Sequence, residues 1–298
     1  MNRWSGGERR SRPARYVPTG HLLFARGSVL YAAPFDADKL EQTGAAHPVR
    51  DGIAFAPGDA LAFYSLSDDG TLVYVAAEEL DVLSLIVAVD RATGEEIELL
   101  LEPGAYRQPA LSPDGRSLAL SISPLGEARD LIVVDVATGR SVPLAQSPAA
   151  EFAPLWTPGG DRVFFACEVL AYDICSRAPN TSEDESLFLS TDFDKVPYSF
   201  SADGMRLIMS EAEPNRYRFI SLPLEGGDGR PDTLRVRGTG LGAPAVSPDG
   251  KWIAYSSDET GRNEVWVESL DAANPLRYVV STGVTPLWTK GGERVGLP

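Results

Sequence analysis

The sequence predicts an all-β fold, a β-propeller of four-stranded antiparallel blades. Six blades is the preferred count, with seven, one of them incomplete, as the alternative. Two observations predict it. A turn signature recurs as SDDG at Ser67, SPDG at Ser112, TPGG at Thr157, SADG at Ser201, SPDG at Ser247 and TKGG at Thr289, at intervals of 45, 45, 44, 46 and 42 residues, with a weaker copy, VPTG, at Val17. Residues 154–163, PLWTPGGDRV, and 286–295, PLWTKGGERV, are identical at eight of ten positions and lie 132 residues apart, three repeats. A fixed beat of this length is the mark of a repeat architecture.

Each unit has one grammar. In the copy at 243–285, Ala243–Val246 is a short apolar strand. Ser247-Pro248-Asp249-Gly250 turns the chain, with proline fixing φ and glycine accepting a positive φ. Trp252–Ser256 is a second strand, DETGR at 258–262 a polar hairpin loop, and Glu264–Ser269 a third strand alternating with period two. DAANP at 271–275 turns again, and Leu276–Val280 is the fourth strand. Earlier copies agree: Leu72–Val75 and Ser84–Val89, then Arg116–Ile122 and Asp130–Val136, each pair followed by an Ala-Thr-Gly turn. No stretch of ten residues shows capped helical periodicity. One such sheet cannot cover both its own faces, so blades stack face to face and VFFA, LIVV, WIAY and VWV fill the spaces between them.

These residues resemble a known family. The SPDG-type turn, the apolar strand after it and SSDETGRNEVWV (residues 256–267) resemble TolB-like (WD40-like) propeller repeats. Residues 14–44, ARYVPTGHLLFARGSVLYAAPFDADKLEQTG, with 257–267, are similar to the propeller region C-terminal to the kinase domain of bacterial serine/threonine protein kinases. The resemblance implies a propeller whose kinase activity resides in another domain, and no Gly-rich phosphate loop, VAIK-like lysine, HRD or DFG is found in this chain. The pattern departs from the family at Gly159-Gly160 and Gly291-Gly292, where Asp-Gly is usual, and in the fourth repeat, where CEVLAYDICSRAPNTSEDES replaces a compact loop.

Composition bounds the partners. The formal net charge is −15; five arginines against one glutamate make residues 1–15 a head of +4 and leave −19 for the rest. A body so acidic repels nucleic acid and anionic lipid and favours basic partners. Residues 1–13 read as a basic tail and 14–298 as a single propeller domain, expected to be a monomer. No apolar run reaches the length of a membrane span or forms the core of a signal peptide, so the expected compartment is the cytoplasm, with an extracytoplasmic propeller on a membrane-anchored parent as the alternative. Cys167 and Cys175 have no second pair for zinc; the implied hairpin sets them diagonally rather than opposite each other, which speaks for free thiols over a disulfide and leaves their redox state open.

Candidate sites are few, and no catalytic, cofactor-binding or metal residue is assigned. Gly238-x-Gly240-x-x-Ala243 fits a dinucleotide fingerprint only formally, because a proline and a strand follow it instead of a helix. His21 and His47, the two histidines, fall in or beside strands. Asp36-x-Asp38 and Asp192-x-Asp194 lack the glycine and further aspartate of a calcium loop. Trp156, Trp252, Trp266 and Trp288 read as packing between blades. What remains is the long segment Glu168–Ser186 of the fourth repeat, with Glu168, Asn180, Glu183, Asp184 and Glu185 as a partner-contact loop, since strands are committed to packing while loops vary. The expected function is a binding or sensing module, taking a protein or small ligand at a rim, without a cofactor and not an enzyme. The alternatives are a propeller hydrolase or lyase with its site at the channel mouth, or a remnant without a function of its own.

Overall fold

The computed structural model describes residues 14–282 apart from 18–20, 27, 37–40, 57–60, 67–70, 77–83, 90–94, 124–128, 170, 214–215, 226–230, 235–241, 248, 263, 272 and 274. The basic tail, Trp288, Asp38 and the Gly238-x-Gly240 turn therefore lie outside the described residues.

The chain opens with β1 (Ala14–Val17), β2 (His21–Arg26), β3 (Val29–Asp36), β4 (Glu41–Gln42) and β5 (His47–Arg50), followed by the short pair β6 (Phe55–Ala56) and β7 (Leu61–Ala62). Five four-stranded antiparallel meanders follow. Blade 1 is β8 (Tyr64–Leu66), β9 (Leu72–Val75), β10 (Ile86–Val89) and β11 (Glu96–Glu98). Blade 2 is β12 (Tyr106–Leu111), β13 (Ser117–Ile122), β14 (Asp130–Asp135) and β15 (Ser141–Ala145). Blade 3 is β16 (Glu151–Trp156), β17 (Val163–Glu168), β18 (Tyr172–Arg177) and β19 (Ser186–Leu189). Blade 4 is β20 (Asp194–Phe200), β21 (Arg206–Glu213), β22 (Arg216–Pro223) and β23 (Asp232–Thr233). Blade 5 is β24 (Gly242–Val246), β25 (Trp252–Ser257), β26 (Glu264–Ser269) and β27 (Arg277–Thr282).

The blade count corrects the expected six. The four-stranded blades number five among the described residues, and residues 14–50 form a different, five-stranded sheet in which β3 pairs with both β4 and β5. The reason lies in length. Val17 to Ser67 spans 50 residues, against 45 for each of the next two intervals. The surplus is taken up by the forked end of β3, a register shift between Leu30 and Tyr31, and the β6–β7 pair.

Period-two alternation sends neighbouring side chains into opposite junctions. On β13, Leu118 and Leu120 join Val73, Val75 and Ile86 of blade 1, while Ala119 faces Trp156, Val163 and Phe165 of blade 3. Phe164 and Ile174 then pack on Leu207, Met209, Ile220 and Leu222 of blade 4. Phe219 meets Ile253 and Tyr255 of blade 5. The first strands of successive blades touch one another and form the inner side of the array.

The recurring turn is a hydrogen-bonded latch. Ser112 Oγ donates to Asp114 Oδ1 at 2.6 Å and accepts from Ser117 N at 2.9 Å, with Gly115 at φ 72°. Ser201 with Asp203 and Ser247 with Asp249 repeat it at 2.6 and 2.5 Å. The Gly-Gly copy keeps the latch by moving its acid: Thr157 Oγ1 donates to Asp161 Oδ1 at 2.6 Å. The hydroxyl bond holds the carboxyls of Asp114, Asp161 and Asp203 below the ordinary aspartate range. Four residues before each of three latches the first strand carries a bulge that the sequence did not reveal, with Gln108, Ala153 and Ala243 at φ 48°, 53° and 47°.

Two further expectations are corrected. The segment taken as a long loop holds a strand, β18, at its centre; its YDICSR alternation is that of a third strand like DLIVVD. Cys167 and Cys175 are joined in a disulfide. They are diagonal, as Cys167 faces Asp173 and Cys175 faces Phe165, yet both turn to the blade 2 side and their Cα atoms are 5.8 Å apart, within disulfide reach.

Candidate functional site

β18 separates the residues assigned to one loop. Glu168 ends β17 beside the β17–β18 turn, and its Oε2 accepts from Ala150 N at 3.4 Å. Asn180, Glu183, Asp184 and Glu185 lie in the β18–β19 connection, at the opposite end of the strand. The structure therefore does not bring Glu168 together with the other four.

The connection stands at the end where the latches lie. There, Gly160 meets Pro113, Gly204 meets Pro158 and Gly250 meets Ala202, so successive turns pave one rim. Between blades 2 and 3 this rim opens into a groove of about 550 Å³. Val142 and Leu144 supply apolar wall, and Asp135, Arg140, Arg177 and Asn180 supply polar groups. Asn180 sits at φ 57°, a left-handed conformation that asparagine tolerates better than most residues. Arg177 donates from Nη1 to Leu144 O across the junction at 2.7 Å. Asp135 accepts from Thr138 N and Oγ1, bonds that hold its carboxyl low. Glu183 reaches Arg162 at 3.4 Å, and Asp184 is exposed. Glu185 extends its carboxylate to within 4.8 Å of both disulfide sulfurs; burial pushes it up, against the pull of Arg177. Mixed apolar and convergent polar lining at this volume is the composition of a small-ligand or peptide site.

The other end of the first strands holds buried charge that sequence reasoning passed over. Lys195 and Asp173 are both fully buried and pair at 3.2 Å across the blade 3–blade 4 junction. Asp173 also accepts from Ser190 Oγ and Thr191 N, and Lys195 donates to the Phe193 carbonyl. Buried Glu211 takes two bonds from Arg218, at 2.9 and 2.6 Å. Glu151 is buried as well, with its carboxyl raised to about 7 by desolvation. A signal was present: Tyr106, Glu151 and Lys195 each stand six residues before a latch Ser or Thr, so charge at that register was readable from the repeat. Asp194 accepts from Tyr172 N at 2.9 Å, which makes it a blade-to-blade tie. Trp156 packs in a junction and donates from Nε1 to Ala110 O at 2.8 Å, while Arg277 stacks 3.7 Å over Trp266. Among the described residues no helix is long and apolar enough to cross a membrane.

Comparison with known proteins bears on the whole array. The family model of the TolB beta propeller domain matches residues 64–290. No curated protein matches the chain. Among solved structures, TolB from Acinetobacter baumannii aligns with TM-score 0.64 at 16% identity, over 94% of this chain and 68% of that one. A putative TolB from Agrobacterium tumefaciens aligns with TM-score 0.64 at 15% identity, over 82% and 90%. An oligogalacturonate lyase in complex with manganese aligns with TM-score 0.61 at 18% identity, over 92% and 78%. At these identities the likeness is one of fold.

Proposed function

Because the chain belongs to the TolB beta propeller domain family, we propose that it is a binding or sensing module without catalytic activity, taking a protein or small ligand at the latch-bearing rim. The observation that carries this reading is the groove between blades 2 and 3, where Arg140, Arg177 and Asn180 converge over apolar wall. The strongest buried charges support it too: Asp173–Lys195 and Glu211–Arg218 are spent on one another, as structural pairs are. The residues shared with kinase-linked propellers, 14–44 and 257–267, favour descent from the propeller part of a bacterial signalling kinase. The disulfide favours an oxidising compartment outside the cytoplasm.

The test is capture of partners by the purified chain, with a variant lacking Asn180–Glu185 and an Arg140→Ala/Arg177→Ala variant beside it. Partners held by the wild type and released by both variants, at unchanged thermal stability, are the expected result. One observation favours the enzymatic alternative, the raised Glu151 carboxyl at the head of a first strand. Turnover of ester, peptide or glycoside substrates that disappears in Glu151→Gln would replace the binding reading with it.

A further inference from the structure

Corresponding positions in a tandem repeat are controls for one another. In blade 3 the hairpin of β17 and β18 carries Cys167 opposite Asp173 and Cys175 opposite Phe165. Blade 2 builds the same hairpin with Ile122 opposite Asp130 and Ile132 opposite Leu120. Blade 4 builds it with Glu211 opposite Arg218 and Ile220 opposite Met209. Both neighbours hold their register with no sulfur at these places, so a blade does not need the cysteine pair in order to form. The pair also converges with a third donor. Both sulfurs belong to the junction with blade 2, and a carboxylate oxygen of Glu185 lies within 4.8 Å of each.

Three donors of this kind suit a metal once the sulfurs are parted. A tetrahedral ion with bonds of about 2.3 Å to sulfur and about 2.0 Å to oxygen keeps its ligand atoms about 3.5–3.8 Å apart. The cysteine Cα atoms are 5.8 Å apart on adjacent strands, so rotation of the two side chains can open the sulfurs to that separation. Glu185, in the exposed β18–β19 connection, has only about 1 Å to close. The pull of Arg177 on Glu185 favours the ionised carboxylate, which is the form that ligates. Ala119, Leu131, Val133 and Leu144 share the apolar cluster of the sulfurs, a setting in which a thiol keeps its proton until a metal displaces it.

We propose that blade 3 carries a redox-gated zinc site, formed by Cys167, Cys175 and Glu185 when the disulfide is reduced. Two thiolates select zinc over calcium or magnesium, and three protein ligands leave the fourth tetrahedral position to water. The gating step is thiol–disulfide exchange. A dithiol reductant supplies two electrons and two protons, the Cys167–Cys175 bond breaks to two thiols, and the reductant leaves as its own disulfide. Zinc then bonds to both sulfurs and to a Glu185 oxygen, and the two thiol protons pass to solvent. In the oxidised chain the sulfurs are spent on each other and offer no thiolate.

The experiment compares the oxidised chain with chain reduced by a phosphine, which leaves no competing thiol and is removed without air. Zinc uptake is titrated and counted after dialysis. Cadmium, in place of zinc, is followed by its near-ultraviolet thiolate-to-metal absorption, and circular dichroism records the fold in the same samples. The expected result is no zinc in the oxidised chain, one zinc per reduced chain, a cadmium–thiolate band and an unchanged strand spectrum. Cys167→Ser/Cys175→Ser should lose the band. Glu185→Gln should keep the band and bind zinc at least about tenfold more weakly. That substitution changes an exposed residue, so its outcome does not depend on whether the core tolerates serine. The proposal is overturned by a folded reduced chain without saturable zinc or without the band, or by equal zinc uptake in the oxidised chain or the serine variant. Unchanged affinity in Glu185→Gln overturns it, and so does a reduced chain that loses its strand spectrum with zinc present.

Discussion

The junctions entered by Glu151 and by Lys195 are one piece of architecture with two chemistries. Both residues stand at the head of a first strand and both are buried, and Lys195 meets the preceding blade's third-strand aspartate. The second junction is satisfied: Asp173 has Lys195, Ser190 and Thr191 around it. The first leaves an oxygen bare. The blade register is the same at both places, and the side chains alone decide how charge there is met.

The largest effect expected from this contrast is at the finished junction. Lys195→Met removes the ammonium that pairs with buried Asp173. A loss of about 3–5 kcal/mol in urea unfolding follows, most of it recovered when Asp173→Leu is added. Trp156→Ala, at the other side of blade 3, belongs to the same range, about 3–5 kcal/mol, because it opens a cavity and strands the Ala110 carbonyl. Should Lys195→Met prove neutral, the contrast between the junctions would be one of geometry and not of energy.

The junction entered by Glu151 responds to pH instead. Folding lifts the Glu151 carboxyl from its ordinary value near 4.5 to about 7, so the native state keeps its proton after the unfolded chain has lost it. A raised carboxyl contributes stability in full below the unfolded value and loses it as pH climbs toward the native one. Unfolding free energy should decline by about 1–3 kcal/mol between pH 4.5 and 7. Glu151→Gln should flatten that slope. A slope equally steep in the variant would assign it to other acids.

How far these junctions could be read in advance depends on what sets each feature. The latch is local, four residues with fixed hydrogen bonds, so its beat gave the repeat, the strand order and the boundaries of β26, Glu264–Ser269, without error. The blade count failed where the beat falters, in residues 14–66, because β3 divides its pairing between β4 and β5, a fork that no turn signature announces. The alternation in YDICSR was legible and was hidden only by the length of the segment around it. The disulfide needed the twist of the β17–β18 hairpin, which brings a diagonal pair within reach, and spacing alone does not report twist. The groove is made by two blades at once, so Asn180 could be suspected from its loop, but Arg140 could not be joined to it before the packing was known.

The smallest effect concerns the latch itself and compares its two forms. In Asp-Gly copies the acid stands two residues after the serine; in the Gly-Gly copy of blade 3 it stands four after the threonine. Both forms give one hydroxyl-to-carboxylate bond and one backbone amide bonded to the hydroxyl, Ser117 N at 2.9 Å and Arg162 N at 3.1 Å. The hydroxyl is the shared element, and its loss leaves a backbone N–H at the start of the second strand without its acceptor. Ser112→Ala and Thr157→Val should therefore each cost about 1 kcal/mol in chemical melts, within a few tenths of each other. Asp114→Asn should cost less, because an amide oxygen still accepts from Ser112. If Thr157→Val were silent while Ser112→Ala was not, the displaced acid of the Gly-Gly turn would be decoration on a turn held by its glycines, with Gly160 at φ 73° carrying the geometry alone.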